Sequence, residues 1–422
     1  MVKSVVNLLK SYKISSPSTT SNTTTPSTNS SDDSCDNERQ QQQQQSDDIK
    51  RVNGDMKSLR NAAYGEKTML ARSEQGSVWK SIATEEDGTT RNVTIKLLRA
   101  PFHSPGTAKY TLREVALLST LNHPNLIALY DVRLPPKLKP LKKFDDLHLV
   151  TEYFGKNLRE RIVEKLKNGT LWTHQELSYC IIQILCGVNF LHNSGIVHRD
   201  LKPTNVVMNE RGNVKILDYG IARDIVPENL TTEAGTPIYR APEIYLGIDS
   251  YDKKVDLWSV GCIFVELILA RILFHGTTLA TQWKLFNEVL GTPDLQFLDT
   301  LGVKDSNKQI VMELPRKEPT DLAALIPDNA VPKLISDYLT IENVRQLISS
   351  MLVLDPAQRT SAEQALRNPY FDIYRGYLSA NLLATPQKVY CTEEFKQLMK
   401  DNNIDHFKEK ILEQIAAFKT KL

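Results

Sequence analysis

Asp200, Lys202 and Asn205 fall within one short run, His198-Arg199-Asp200-Leu201-Lys202-Pro203-Thr204-Asn205, and Asp218-Tyr219-Gly220 begins thirteen residues after Asn205, with Ala241-Pro242-Glu243 beyond. These residue types in this order suit phosphoryl transfer. Moving a γ-phosphoryl group to a hydroxyl needs a carboxylate near the incoming oxygen, a cation on the moving phosphate and divalent metal bridging the nucleotide oxygens. Asp200 suits the first role, accepting the hydroxyl proton. Lys202 can place its ammonium beside the γ-phosphate. Asn205 offers a neutral carbonyl oxygen to a magnesium ion, and Asp218 a carboxylate from the opposite side, because Mg²⁺ prefers hard oxygen ligands.

Those groups need elements to hold them. From Thr111 to Leu121, Leu112, Val115 and Leu118, widened by Leu117 and Leu121, make a helical apolar stripe with Glu114 beside it. The whole string resembles the catalytic loop, metal-binding loop and activation-segment end of eukaryotic protein kinases. Val93-Thr94-Ile95-Lys96 resembles the strand motif whose lysine pairs the α- and β-phosphates in that family, and Glu114 looks like its helical partner. The resemblance implies an α+β, bilobal fold with ATP in the cleft: a β-rich N-lobe over 64–154, a mainly α-helical C-lobe over 155–371, and an extension over 372–422 whose helix packs back on the kinase domain. It also implies that Glu243 pairs with Arg359 and that Asp256 anchors the catalytic-loop backbone.

The phosphate-covering loop departs from the family pattern. Where G-x-G-x-x-G is usual, the chain reads Ala71-Arg72-Ser73-Glu74-Gln75-Gly76, followed by Ser77-Val78. Glycine lets backbone N–H groups approach phosphate closely, so Ala71 and Ser73 predict a stiffer loop and weaker ATP affinity. By resemblance the nucleotide would be held by Ala71, Gly76, Val78, Lys96, Thr151, Glu152, Phe154 and Asn157. Thr151-Glu152-Tyr153-Phe154 would be the hinge, with Thr151 as gatekeeper. Tyr219 replaces the usual phenylalanine of the metal loop, and its hydroxyl needs a partner if buried.

Within the superfamily, Asn92-Val93-Thr94-Ile95-Lys96 with Arg99-Ala100-Pro101-Phe102, Gln183-Ile184-Leu185-Cys186-Gly187, and Val255 to Ile263 are similar to the mitogen-activated protein kinase group, and most like its c-Jun N-terminal, stress-activated branch. That family is activated on a Thr-x-Tyr pair by an upstream MAP kinase kinase. Here Thr231-Thr232-Glu233 stands in its place, and Pro237 stands where the family keeps the arginine that meets the phosphotyrosine. The two losses agree with each other. They leave Thr231, with Thr232, as the remaining regulatory phosphosite, and Glu233 as a partial stand-in for the second phosphate. The alternative is a catalytically silent scaffold in a kinase cascade. The family's acidic docking segment is reduced here to Asp372.

Composition bounds the remainder. The chain has 422 residues, with 52 basic and 50 acidic side chains, so nothing points to a nucleic-acid partner. Lys137-Leu138-Lys139-Pro140-Leu141-Lys142-Lys143 is read as a solvated loop. Five cysteines without metal-ligand spacing read as single reduced thiols, which fits a cytoplasmic or nuclear compartment; a monomer is expected. Residues 1–60 form a Ser/Thr/Asn/Gln-rich tail, including the Gln40 to Gln45 run, and are expected to be disordered. The apolar stretch at Val5-Val6-Asn7-Leu8-Leu9 is too short to span a membrane. Apolar spacing from Phe395 to Phe418 predicts a helical C-terminal segment over 392–418. The expected partners are protein substrates and the upstream activator, and the expected cofactors are ATP and Mg²⁺.

Overall fold

The computed structural model describes residues 64–73, 76–84, 87–134, 146–224, 237–248, 252–382, 385–387 and 393–420. Two compact bodies emerge. One is built from the described residues up to Pro101 with Tyr130–Tyr153, the other from Phe102–Leu129 and from Phe154 onward.

The first body is a five-stranded sheet: β1 (Tyr64–Ser73), β2 (Gly76–Thr84), β3 (Thr90–Arg99), β4 (Leu129–Arg133) and β5 (Asp146–Glu152), in the order β1-β2-β3-β5-β4. Its two faces differ because side chains alternate along a strand. Trp79, Val93, Ile95 and Val150 are buried together with Tyr64 and Ala83 on one face. Val78, Lys80, Thr94, Lys96 and Thr151 alternate with them and are only partly covered. Trp79 satisfies its indole by donating to Ser77 Oγ at 2.7 Å. Gly76 is dictated by the sheet itself, since a Cβ there would collide with the Leu97 carbonyl oxygen.

The second body is mainly helical. It opens with α1 (Pro105–Thr120), started by Pro105 and by a reciprocal cap between Ser104 and Thr107. Then come β6 (Lys156–Asn157), α2 (Leu158–Lys167), α3 (His174–Asn193), β7 (Ile196–Val197), β8 (Val206–Met208), β9 (Val214–Ile216) and β10 (Arg223–Asp224). The strands β6, β8 and β9 form one small sheet, and β7 pairs with β10. Next are α4 (Pro242–Tyr245), α5 (Val255–Leu269) and α6 (Leu279–Leu290). Apart from its end, α5 is buried all round, which is what an almost wholly apolar helix requires. Trp258 on α5 stacks on Phe274, with ring centroids 5.4 Å apart, and meets Phe286 of α6 edge-on at 5.3 Å. The short helices α7 (Leu295–Thr300), α8 (Asp305–Met312) and α9 (Leu322–Leu325) lead to α10 (Ile341–Met351), α11 (Ala362–Ala365) and α12 (Arg375–Leu382). Among the described residues no helix is long and apolar enough to cross a membrane.

The C-terminal segment is two helices, α13 (Glu393–Lys400) and α14 (Ile404–Lys419). The break has a local cause. Asp401 Oδ1 accepts the backbone N–H groups of Asn402 and Asn403, at 2.7 and 3.0 Å, and Asn403 then caps α14. The apolar face of α14 lies along α1, with Phe407 and Ile411 fully buried, and Lys109 of α1 donates to Asn402 Oδ1 at 3.1 Å. Replacing Phe407 with alanine removes the middle of that contact and is expected to cost about 3–5 kcal/mol of stability. Urea unfolding of Phe407→Ala beside wild type measures it, with a loss under about 1 kcal/mol counting against the packing described.

Candidate active site

The second body brings Asp200, Lys202, Asn205 and the Asp218 loop together through a dense backbone framework. A short 3₁₀ turn, Pro203–Asn205, follows Lys202. It returns Asn205 toward Asp200, so that Asn205 Nδ2 donates to the Asp200 carbonyl at 2.9 Å and to Asp200 Oδ2 at 3.0 Å. Lys202 Nζ reaches the same Oδ2 at 2.7 Å. Leu217 N donates to the Asn205 carbonyl at 2.8 Å, which ties the segment before Asp218 to the same turn.

His198 joins the two loops. Its Nδ1 accepts the Asp200 N–H at 3.2 Å, and its Nε2 lies 2.9 Å from the Leu217 carbonyl, so the network assigns the proton to Nε2. Tyr219 packs edge-on against that imidazole at 5.7 Å, and its buried hydroxyl donates to the Ile216 carbonyl at 3.1 Å. The extra hydroxyl of this tyrosine therefore has its partner.

Asp256, at the start of α5, holds the loop from beneath. Its carboxylate accepts the N–H groups of His198 and Arg199 at 2.9 and 2.8 Å and sits 2.9 Å from His192 Nε2. Burial pushes this carboxyl up, but the His192 hydrogen bond and charge, the nearby His198 and the Arg199 amide outweigh burial and hold it below the usual carboxylate range. The clamp matters because Arg199 and Asp218 both have left-handed backbones, at φ 69° and 64°. Non-glycine residues adopt that conformation only when their surroundings impose it.

The donor set fits a hard divalent cation. Both amide hydrogens of Asn205 have acceptors on Asp200, which orients the side chain and leaves its carbonyl oxygen as the outward group. Asp218 would supply the carboxylate. Glu114, on α1, is buried, and its Oε2 would lie 3.8 Å from a Cβ at Gly220, so it faces the Asp218 loop. Phe154 carries Lys215 Nζ over its ring at 5.1 Å. Asn157 caps α2, accepting from Glu160 N at 3.0 Å and donating its own N–H to Glu160 Oε2 at 2.8 Å.

The first body carries the other residues that the resemblance assigns to the nucleotide. Strand register aligns Ala71 with Val78 and Val78 with Lys96, and in the next row Lys80 with Thr94 and Thr94 with Thr151. Lys96 and Thr151 therefore share the half-open face with Val78 and Ala71. Glu152 ends β5, and the Tyr153 N–H that follows donates to the Asn92 carbonyl at 3.3 Å. The sequence motifs assign no role to Lys80, Thr94, His198 or His192. Lys80 and Thr94 become visible only through register, whereas His198 stands within the catalytic string and could have been questioned there.

The described residues resume at Pro237. Its carbonyl accepts from Tyr245 Oη at 2.7 Å, while Tyr239 donates to buried Glu266 at 2.7 Å. Glu243 and Arg359 form a buried two-pronged pair at 2.7 and 2.9 Å. Asp372 is engaged by Arg375 at 3.1 Å, so a docking cation would meet a carboxylate already paired. Cys180, Cys186 and Cys262 are free and buried, and burial pushes the Cys186 thiol up to about 12. Thr231, Thr232, Glu233, Glu74, Gln75 and the basic run at 137–143 lie outside the described residues.

Residues 66–371 match the protein kinase domain family. The chain is 38% identical over 347 residues to stress-activated protein kinase jnk-1 of Caenorhabditis elegans, covering 81% of this chain and 71% of that protein. It is 38% identical over 320 residues to GLH-binding kinase 1 of the same organism, covering 74% and 78%. Against stress-activated protein kinase JNK of Suberites domuncula it is 35% identical over 367 residues, covering 86% and 96%. The chain belongs to the protein kinase family, as a member of the mitogen-activated protein kinase group resembling its c-Jun N-terminal, stress-activated branch.

Proposed function

We propose that this chain is a serine/threonine protein kinase that transfers the γ-phosphoryl group of Mg-ATP to hydroxyls of protein substrates, under control of a single-threonine switch. The observation that carries the reading is the Asp200 carboxylate held by Lys202 Nζ at 2.7 Å and Asn205 Nδ2 at 3.0 Å. In this reading Asp200 takes the proton of the substrate hydroxyl, whose oxygen bonds to the γ-phosphorus as the bond to the bridging oxygen of ADP breaks. Lys202 exchanges its carboxylate contact for the moving phosphoryl group. Lys96 orients the α- and β-phosphates. Asn205 and Asp218 would hold Mg²⁺, which when bound neutralises the phosphate oxygens.

Regulation rests on Thr231, with Thr232, in place of the family's Thr-x-Tyr. A phosphate there would add about 1.5 to 2 negative charges that pair with Arg199 and neighbouring cations. Pro237 in the arginine's place argues for relaxed selection of proline after the target residue. The test is transfer to a generic basic protein after treatment with an upstream MAP kinase kinase. Thr231→Ala is expected to lower the treated activity by about tenfold or more, and equal activity in the two proteins would remove the switch. Nucleotide binding that ignores both Mg²⁺ and the Lys96→Met change would instead favour a scaffold.

A further inference from the structure

Residues beyond α12 touch α1 near both of its ends. Just past the C-terminus of α1, the Asn122 N–H donates to Gln387 Oε1 at 2.9 Å. The Gln387 N–H in turn donates at 3.1 Å to Oγ of Ser194, a buried residue that closes α3 just before β7 and the catalytic string. Toward the N-terminus, Lys109 donates to Asn402 Oδ1 at 3.1 Å, and its Nζ lies 5.9 Å from the centroid of the Phe407 ring. Lys408 of α14 lies over the ring of Phe102, ahead of α1, at 5.1 Å. Around an α-helix, Lys109 and Glu114 stand about 140° apart. Lys109, which meets α14, is therefore turned away from Glu114, whose buried side chain faces the Asp218 loop.

We infer that the C-terminal extension is a strap that positions α1, with Gln387 and Phe407 as positioning residues that act on phosphoryl transfer through Glu114. The inference rests on the kinase reading above. Gln387 links α1 to α3, so one side chain and its own backbone N–H set the spacing between the helix that carries Glu114 and the helix that leads into His198 and Asp200. Phe407, fully buried, presses on α1 from the side of Lys109. Close-packed helices respond to a lost contact by sliding as units. A slide of about 1 Å would carry the Glu114 carboxylate off the Asp218 loop, and misplacement of that size is enough to slow a reaction severely.

The experiment must separate positioning through Glu114 from general loosening of the fold. Transfer to a generic basic protein is measured for the full chain, activated upstream, at a temperature where every variant is folded by circular dichroism. Gln387→Leu is expected to lower kcat about fivefold, the worth of one hydrogen bond, whereas Gln387→Glu, which keeps an acceptor for the Asn122 N–H, should stay within about twofold of wild type. Phe407→Leu, which loosens the contact without emptying it, should also lower kcat about fivefold. Each substitution is then repeated in a Glu114→Gln background, where it should change kcat by less than about twofold, because the group it positions is already gone. A fivefold loss that persists in that background is general loosening and overturns the inference. So does a kcat for Gln387→Leu and Phe407→Leu equal to that of wild type. Folded wild type that transfers no phosphate would strike the kinase reading, a result distinct from these.

Discussion

Asp200→Asn is expected to lower kcat for phosphate transfer by about 10³-fold while changing the KM for Mg-ATP by less than about threefold. The amide is nearly isosteric with the carboxylate. It keeps one oxygen to receive Lys202 and Asn205, whose contacts now converge on Oδ2 at 2.7 and 3.0 Å. The Asp200 N–H still reaches His198 Nδ1, so the loop has no reason to move. What disappears is a group able to take the hydroxyl proton. The residues of the first body proposed to hold the nucleotide are untouched, which is why the effect belongs in kcat. A fall of less than tenfold, in a variant that melts like wild type, would mean that Asp200 is not the proton acceptor.

Removing Arg359 is expected to have the largest effect on stability. Arg359→Met leaves Glu243, 1% exposed, as a buried carboxylate with its two guanidinium contacts gone. It also strips donors from the Val353 and Lys254 carbonyls. Breaking one side of a buried pair typically costs about 3–5 kcal/mol, because the surviving charge cannot be rehydrated. Urea unfolding should show a loss of that size. Adding Glu243→Leu to Arg359→Met should recover part of it, since an apolar pair leaves no stranded charge. The exposed Arg367–Glu363 pair, at 76% and 58% exposure, is the control, and its loss should leave stability nearly unchanged. Equal effects at the two sites would show that burial does not set the cost.

The parts readable from sequence are those whose partners are close in the chain or whose spacing is periodic. Asp200, Lys202 and Asn205 are joined by one 3₁₀ turn, so their order already implies that they meet. The stripe at Leu112, Val115 and Leu118 lies inside α1, where all three are buried. Strand register is different, because it depends on segments far apart. Nothing near Lys80 reveals that Thr94 and then Thr151 stand beside it. Gly76 is readable as a surviving family glycine, yet its steric reason is the Leu97 carbonyl on the neighbouring strand. The C-terminal apolar spacing runs across 401–403, and only the competition of Asp401 and Asn403 side chains for backbone N–H groups divides it into α13 and α14.

Phosphate transfer to serine and threonine is tested by incubating the wild-type chain, activated by an upstream MAP kinase kinase, with γ-labelled Mg-ATP and a generic basic protein, then identifying the labelled amino acids. Label on phosphoserine and phosphothreonine, absent when Asp200→Asn replaces wild type, is the result this account predicts. Folded, activated wild type that labels nothing, or labels only tyrosine, would contradict it.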